Sequence, residues 1–320
     1  MPEDFATLGD AHRISPAQAS GVVCFGFLTY CLLLVIDSFP SQNGGEPILE
    51  AVDSLGDDAA IVACTLSRWK IPAQLISSPV GDDYYGERVV EQLRTSGLAV
   101  GPQVQPGQKT PFEVGIVDSS GSRTYFQRRE HQVVSSLAMP SVAQLSGARM
   151  LYVDWYDGPE ILSAVGRASS LAVPVFLNLE SSFHDSPQLL DLLRHTDICQ
   201  VSLDEPGASG EAVDIARGLI DRGASTVLVT MGANGCTVAR SGQAFSIQPP
   251  EVEVIDGYGA GAAFSAGVIY GILNELPLDK AAQFATAHAG LKCGVTGIAD
   301  FPIESILRVA ADLEITASSM

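Results

Sequence analysis

The sequence predicts an α/β fold: a doubly wound, mostly parallel sheet with helices on both faces and a small accessory β-sheet. Three observations carry this reading. From about Ala148 onward, short apolar segments rich in β-branched residues alternate with helical segments of about ten to fifteen residues, the pattern of right-handed βαβ units. Val22–Phe27 is apolar at nearly every position, as a strand buried on both faces of a parallel sheet must be. Near the carboxyl end, Val252-Glu253-Val254-Ile255 alternates like a strand ending at Asp256. It runs into Asp256-Gly257-Tyr258-Gly259-Ala260-Gly261-Ala262-Ala263-Phe264, which opens an apolar run through Tyr270.

That last stretch organises the chain. Three glycines within five residues let the backbone turn sharply, and the first amides of the helix that follows have no internal acceptor. Strand, glycine turn and helix in that order make an anion site, with a phosphate as its natural occupant. Ligands of such sheets bind at the carboxyl ends of the strands.

Composition narrows the partners. Apolar residues make up 46% of the 320 and charged ones 17%, so the chain is globular rather than disordered. With 18 basic against 37 acidic residues the formal charge is −19, which repels nucleic acid and anionic membrane over most of the surface. The six cysteines lie far apart with no zinc spacing, mostly inside apolar runs, where cysteine acts as a small hydrophobe. A reducing cytoplasm is expected. Val22–Ile36 is shorter than the roughly 18 residues of a membrane span and is followed by Asp37, so it reads as buried strands.

In chain order, residues 1–20 mix Pro, Ser, Asp and Ala without periodicity and read as a poorly ordered leader, placing the folded domain over 21–320. Leu32–Phe39 is a second strand that Pro40 closes. Gly56–Cys64 leads a helix to about Trp69, with Asp57 and Asp58 as N-cap residues. Ala73–Ser77 is a strand, and Val80–Gly86 a turn and N-cap before a helix through Leu98. Phe112–Val117 and Arg123–Gln127 flank the turn Asp118–Ser122. Strand Met150–Val153, helix Glu160–Ser170, strand Val173–Leu177, helix Gln188–His195, strand Ile198–Val201, helix Gly210–Arg222 and strand Thr226–Thr230 complete the alternation. Thr230-Met231-Gly232-Ala233-Asn234-Gly235-Cys236 is a strand-turn-strand.

Together these segments resemble the ribokinase-like (PfkB) carbohydrate kinases. Asp256–Phe264 is similar to the signature Asp-Thr-x-Gly-Ala-Gly-Asp-x-Phe, whose glycines form the anion hole and whose final Asp takes the proton from the sugar hydroxyl. Ala262 stands at that final position. Gly26-x4-Cys31-x5-Asp37-x-Phe39-Pro40 resembles the first strand and lid entry, with Cys31 in place of a sugar-gripping Asp. Gly56-Asp57-Asp58-Ala59-x-Ile61-x-Ala63 resembles Gly-Gly-Asn-Ala-x-Asn-x-Ala and departs at Asp57, Asp58 and Ile61. Val80–Gly86 is similar to Val-Gly-x-Asp-x-x-Gly, and Thr230–Gly235 to the nucleotide turn Thr-x-Gly-x-x-Gly. Ser202-Leu203-Asp204-Glu205 falls at the magnesium-phosphate element Asn-x-x-Glu and keeps Glu205. The Gly-x-Arg-Thr of Gly121–Thr124 and the spacing Ala287-x-Ala289-Gly290-x-Lys292-Cys293-Gly294-x-x-Gly297 resemble the ketohexokinase branch in particular.

The resemblance, which runs from about Gly21 to Phe301, implies a ribokinase-like fold whose β-sheet lid comes from the segments near 30–40 and 110–128. It implies ATP and Mg²⁺ as cofactors and a sugar as acceptor. Cofactor contacts would come from Thr230, Gly232, Gly235, Asp256, Gly259, Gly261 and Glu205, the last also a metal ligand. Gly259, Ala260 and Gly261 would form the anion hole. Cys31, Gly56, Asp57, Asp58, Ile61 and Arg123 would line the substrate, and the lid would carry a homodimer interface.

The departures fall on chemistry rather than on scaffold. Phosphoryl transfer needs in-line positioning, charge neutralisation and a base; loss of a general base alone costs about 10² to 10⁴ in rate. The expected function is a sugar-kinase scaffold with transfer inactive or strongly impaired, a pseudokinase or an altered enzyme. Two alternatives stand beside it: an active carbohydrate kinase that recruits Asp256, Asp57 or Asp58 as base, and a non-catalytic binding or assembly protein. Cys31 reads as a core cysteine rather than a nucleophile, since no motif places a His beside it.

Overall fold

Strand-helix alternation after Ala148 folds into crossovers that cover both faces of one sheet. The computed structural model describes residues 21–98, 101–119, 121, 123–129, 137–156, 158–181, 186–203 and 211–319, so the expected leader over 1–20 lies outside the described residues. The strands are β1 (Val22–Gly26), β2 (Thr29–Ile36), β3 (Ile48–Gly56), β4 (Ala73–Ser77), β5 (Val80–Gly81), β6 (Val104–Gln105), β7 (Phe112–Val117), β8 (Arg123–Arg128), β9 (Met150–Asp154), β10 (Val175–Asn178), β11 (Ile198–Ser202), β12 (Thr226–Thr230), β13 (Cys236–Arg240), β14 (Gln243–Ile247) and β15 (Ile315–Ser319). The helices are α1 (Asp58–Arg68), α2 (Tyr84–Thr95), α3 (Val142–Leu145), α4 (Pro159–Ser170), α5 (Leu189–Leu193), α6 (Ala212–Asp221), α7 (Ala260–Leu273), α8 (Leu278–Cys293) and α9 (Ile303–Ala311).

The main sheet has nine strands in the order β15-β14-β13-β12-β11-β10-β9-β1-β4. From β4 to β12 every pairing is parallel. The remaining three strands pair antiparallel: short turns at 231–235 and 241–242 leave no room for a crossover before β13 and β14, and β15 returns to the edge after α9. Apolar residues of α1, α7 and α8 pack on one face, and those of α4, α5 and α6 on the other. Helix α7 lies unusually close to α8: a Cβ on Gly267 would fall 2.6 Å from the Cα of Ala285, so only a residue without a side chain permits this approach. Cys24, Cys31, Cys64, Cys199 and Cys236 are buried, and Val22–Ile36 is β1 and β2. Among the described residues no helix is long and apolar enough to cross a membrane.

A second sheet of four strands, β3-β2-β7-β8, forms the lid. Its middle pair is parallel and its outer pairs antiparallel. Two sequence expectations need correction here. The strand read over Leu32–Phe39 begins at Thr29 and ends at Ile36, and it pairs with β3, a strand whose first half is exposed and whose acidic residues disguise its pattern. Val252–Ile255 forms no strand. Its alternation finds no neighbouring strand; instead the amides of Ile255 and Asp256 both donate to the Cys293 carbonyl at the end of α8, at 2.8 and 3.0 Å.

Candidate functional site

The glycine turn ends on Gly259, the N-cap of α7, in the left-handed conformation with φ 73°, which a side chain rarely adopts. Helical pairing begins when Ala263 donates to the Gly259 carbonyl at 2.9 Å. Helix geometry leaves the Gly261 and Ala262 amides without an intrahelical acceptor, at the positive end of a 14-residue helix. The donors suit an anion. Ala262 itself is fully buried, and Ile61, expected on the substrate wall, packs beneath the turn: its Cδ1 lies 3.4 Å from where a Cβ on Gly259 would stand.

Asp256 anchors the turn from within. Its Oδ1 accepts from the Tyr258 amide at 2.7 Å, and its Oδ2 accepts from the Gly297 amide at 2.8 Å and the Lys292 ammonium at 2.7 Å. All of this is buried. Burial lowers the Lys292 pKa, against the pull of the Asp256 charge. A carboxylate so engaged orders backbone.

The two aspartates ahead of α1 part company. Asp57 takes the N-cap position at φ 68° but makes no cap bond through its side chain, contrary to the sequence reading; it accepts instead from the Thr29 hydroxyl and pairs with Arg129. The cap is supplied from elsewhere. Asp154, at the carboxyl end of β9, accepts from the amides of Asp58 and Ala59 at 2.8 and 3.4 Å. Asp58 turns toward α7, held by the Asn178 amide at 2.9 Å, with its Oδ2 3.6 Å from where a Cβ on Gly261 would stand. Burial, and next the charge of Glu180, push its pKa up to about 8, while Arg123 opposes. Asp154 is raised too, by burial first and then by Asp58.

On the lid side, Tyr258 reaches out of the turn and is almost wholly buried. Its hydroxyl donates to Glu113 Oε1 at 3.1 Å, and Glu113 also accepts from Gln127. Burial raises the Glu113 pKa. Cys31 lies beside this pair in hydrogen-bonding contact with Tyr258, its thiol pushed up to about 12, chiefly by burial; a thiol so held is no nucleophile at neutral pH. A Cβ on Gly56 would stand 3.2 Å from the Tyr258 hydroxyl. Arg123 crosses from β8 to the turn, donating from Nη1 to the Gly257 carbonyl at 2.9 Å.

The structure thus brings Cys31, Gly56, Asp58, Ile61 and Arg123 around the start of α7. At the carboxyl ends of the neighbouring strands, the Thr230 hydroxyl meets that of Ser202 at 3.0 Å. Gly232 and Gly235 turn the chain with positive φ. Glu205 lies outside the described residues, and among those described no group of three His, Cys, Asp or Glu could hold a metal ion. Sequence reasoning missed Glu113, Arg129, Asp154 and Asn178, and gave Tyr258 no role. The signal for Asp154 and Asn178 was available, since both are polar residues ending apolar strands of a parallel sheet, where ligand sites form. Arg129 and Glu113 carried no local signal.

The chain is similar in sequence and in fold to known carbohydrate kinases. The chain is 29% identical over 239 residues to fructoselysine 6-kinase of Shigella flexneri, covering 73% of this chain and 87% of that one. It is 27% identical over 184 residues to ribokinase of Haemophilus influenzae, covering 56% and 58%. Its fold is similar to that of Arabidopsis thaliana ribokinase complexed with ribose and ATP, with a TM-score of 0.73 at 18% identity over 91% of this chain and 99% of that one. Ribokinase from Giardia lamblia gives 0.72 at 17% identity, over 92% and 99%. Residues 23–305 match the pfkB family of carbohydrate kinases, and the chain belongs to that family.

Proposed function

We propose that this chain is a nucleotide-binding sugar-kinase scaffold with phosphoryl transfer disabled, a pseudokinase. The observation that carries it is Ala262: a methyl group, fully buried, occupies the first turn of α7 where transfer to a sugar hydroxyl needs a proton acceptor. Asp256 and Asp57 are bound into ion pairs with Lys292 and Arg129, which removes them as substitutes. The free amides of Gly261 and Ala262 would hold a phosphate of ATP, with Gly259 and Ala260 shaping the hole. Thr230, Gly232 and Gly235 would border the nucleotide, and the family resemblance assigns its Mg²⁺ to Glu205. Magnesium would neutralise phosphate charge there. The Gly-x-Arg-Thr of Gly121–Thr124 and the Ala287–Gly297 spacing support a ketohexokinase-like branch; the cysteine pattern supports a cytoplasmic location, and the family resemblance alone supports a homodimer through the lid.

A second reading has one observation in its favour. Asp58 points at Gly261 and its pKa is raised to about 8, close to the operating range of a general base, so an active kinase would use this carboxylate. Calorimetric titration with ATP–Mg²⁺, followed by ADP release over a panel including fructoselysine, ribose and fructose, separates the two. Binding without sugar-dependent turnover supports the pseudokinase; turnover lost in Asp58→Asn supports the kinase.

A further inference from the structure

All four strands of the lid converge on one side chain that does not belong to the lid. Tyr258, in the anion turn, meets β2 through the Cys31 thiol and β7 through Glu113 Oε1 at 3.1 Å. It meets β3 through the Leu55 carbonyl at 3.4 Å and β8 through the Tyr125 ring, 6.0 Å between centroids. Gly56 and Gly115 leave it room: Cβ atoms there would stand 3.2 Å from its hydroxyl and 3.7 Å from its Cδ2. Two of these neighbours, Cys31 and Gly56, are positions assigned to the acceptor wall.

We infer that Tyr258 is a built-in occupant of the acceptor pocket, a six-membered ring with one hydroxyl that takes the place of a sugar and latches the lid shut. The inference rests on the sugar-kinase reading under Proposed function and on the substrate wall that the family resemblance implies. Buried, Glu113 needs donors for both carboxylate oxygens: Gln127 supplies one, and where a substrate hydroxyl would supply the other in a sugar site, the phenol supplies it from inside the chain. Arg123 reinforces the latch one residue earlier, through the Gly257 carbonyl. The chain itself therefore ties the lid to the anion turn, and beneath the phenol lies a latent polyol site with Glu113 as its hydrogen-bond acceptor.

The test compares the unmodified chain, Tyr258→Phe and Tyr258→Ala, titrated with D-fructose and D-ribose by calorimetry and thermal shift. If the pocket is open in at most about a tenth of unmodified molecules, sugar affinity should rise at least about tenfold in Tyr258→Ala. Tyr258→Phe, which keeps the ring, should stay near the unmodified protein. Sugar binding by the unmodified chain as tight as by Tyr258→Ala overturns the proposal, as does an Ala variant that folds and binds no better. Should Tyr258→Ala fail to fold, amide exchange of the unmodified chain decides. Slow exchange in β7 and β8 that saturating sugar leaves unchanged supports the latch, and sugar-induced protection there refutes it. ADP release is scored separately: an Ala variant without sugar binding, in a chain that still releases no ADP, sinks the latch and leaves the pseudokinase standing, whereas turnover by the unmodified chain sinks the pseudokinase itself.

Discussion

The Lys292 ammonium lies 2.7 Å from Asp256 Oδ2 and 2.8 Å from the Asp256 carbonyl oxygen, with both side chains buried. This pair ties the C-terminal turn of α8 to the glycine turn ahead of α7, so the turn is held by a bond from a helix that packs beside it. Removing one partner of a buried pair strands the other charge, at a cost of about 3–5 kcal/mol. Lys292→Met should therefore destabilise by about that much in urea unfolding, and the double variant Lys292→Met/Asp256→Asn by clearly less. Equal losses in the two would mean that the charge of Asp256 is not what the lysine neutralises.

Ala262→Asp restores a carboxylate at the start of α7 but leaves the acceptor side filled by Tyr258 and lined by Cys31. We expect at most slow ATP hydrolysis from it. Adding Cys31→Asp, Asp57→Gly, Ile61→Asn and Tyr258→Thr should raise sugar-dependent ADP release by about 10² or more, with strong non-additivity, because base and positioning groups act as a unit. Asp57 already holds φ 68°, so glycine there meets no backbone obstacle. A coupled ADP assay on both variants is the check; robust turnover by the single variant would refute the argument.

If the glycine turn holds a phosphate as proposed, Asp58 should make its binding depend on pH. Its folded pKa, about 8, stands above the ordinary 3.8, so between those values the folded chain keeps a proton that the unfolded chain has lost. The associated stability is complete below about pH 4 and declines as pH rises toward 8. Above 8 the ionised carboxylate faces the phosphate site beside Gly261, among Glu180, Asp57, Asp154 and the opposing Arg123. ATP should bind more weakly as pH rises through this range, and Asp58→Asn should flatten both the binding and the stability profiles. A titration series from pH 6 to about 9 reads the first, and chemical denaturation from pH 4 to about 9 the second.

Asp154 does the work of an N-cap from a strand 96 residues away. Asp154→Ala should cost about 0.5–2 kcal/mol through the lost cap. Asp154→Asn keeps an acceptor for the Asp58 amide and should be close to neutral. Thermal unfolding of the two variants distinguishes a cap from a purely electrostatic role, for which both would behave alike.

Local pattern was enough for much of this protein. The βαβ run after Ala148, the buried first strand and the glycine turn each lie within a short window, and the period of side chains or the freedom of glycine is set by the window itself. The alanine at the position where the family resemblance expects a base is equally local, since Ala262 is read directly against the turn. Other features were decided only by packing. Asp57 and Asp58 are neighbours in sequence, yet one turns to Arg129 and the other to Asn178, 72 and 120 residues away. Tyr258 finds Glu113 across 145 residues because β7 places that carboxylate over the turn. Val252–Ile255 has a strand's alternation and no strand beside it. Alternation says which faces of a segment differ, but a strand exists only where another backbone supplies its hydrogen bonds, and that partner is chosen by how the sheets and helices assemble.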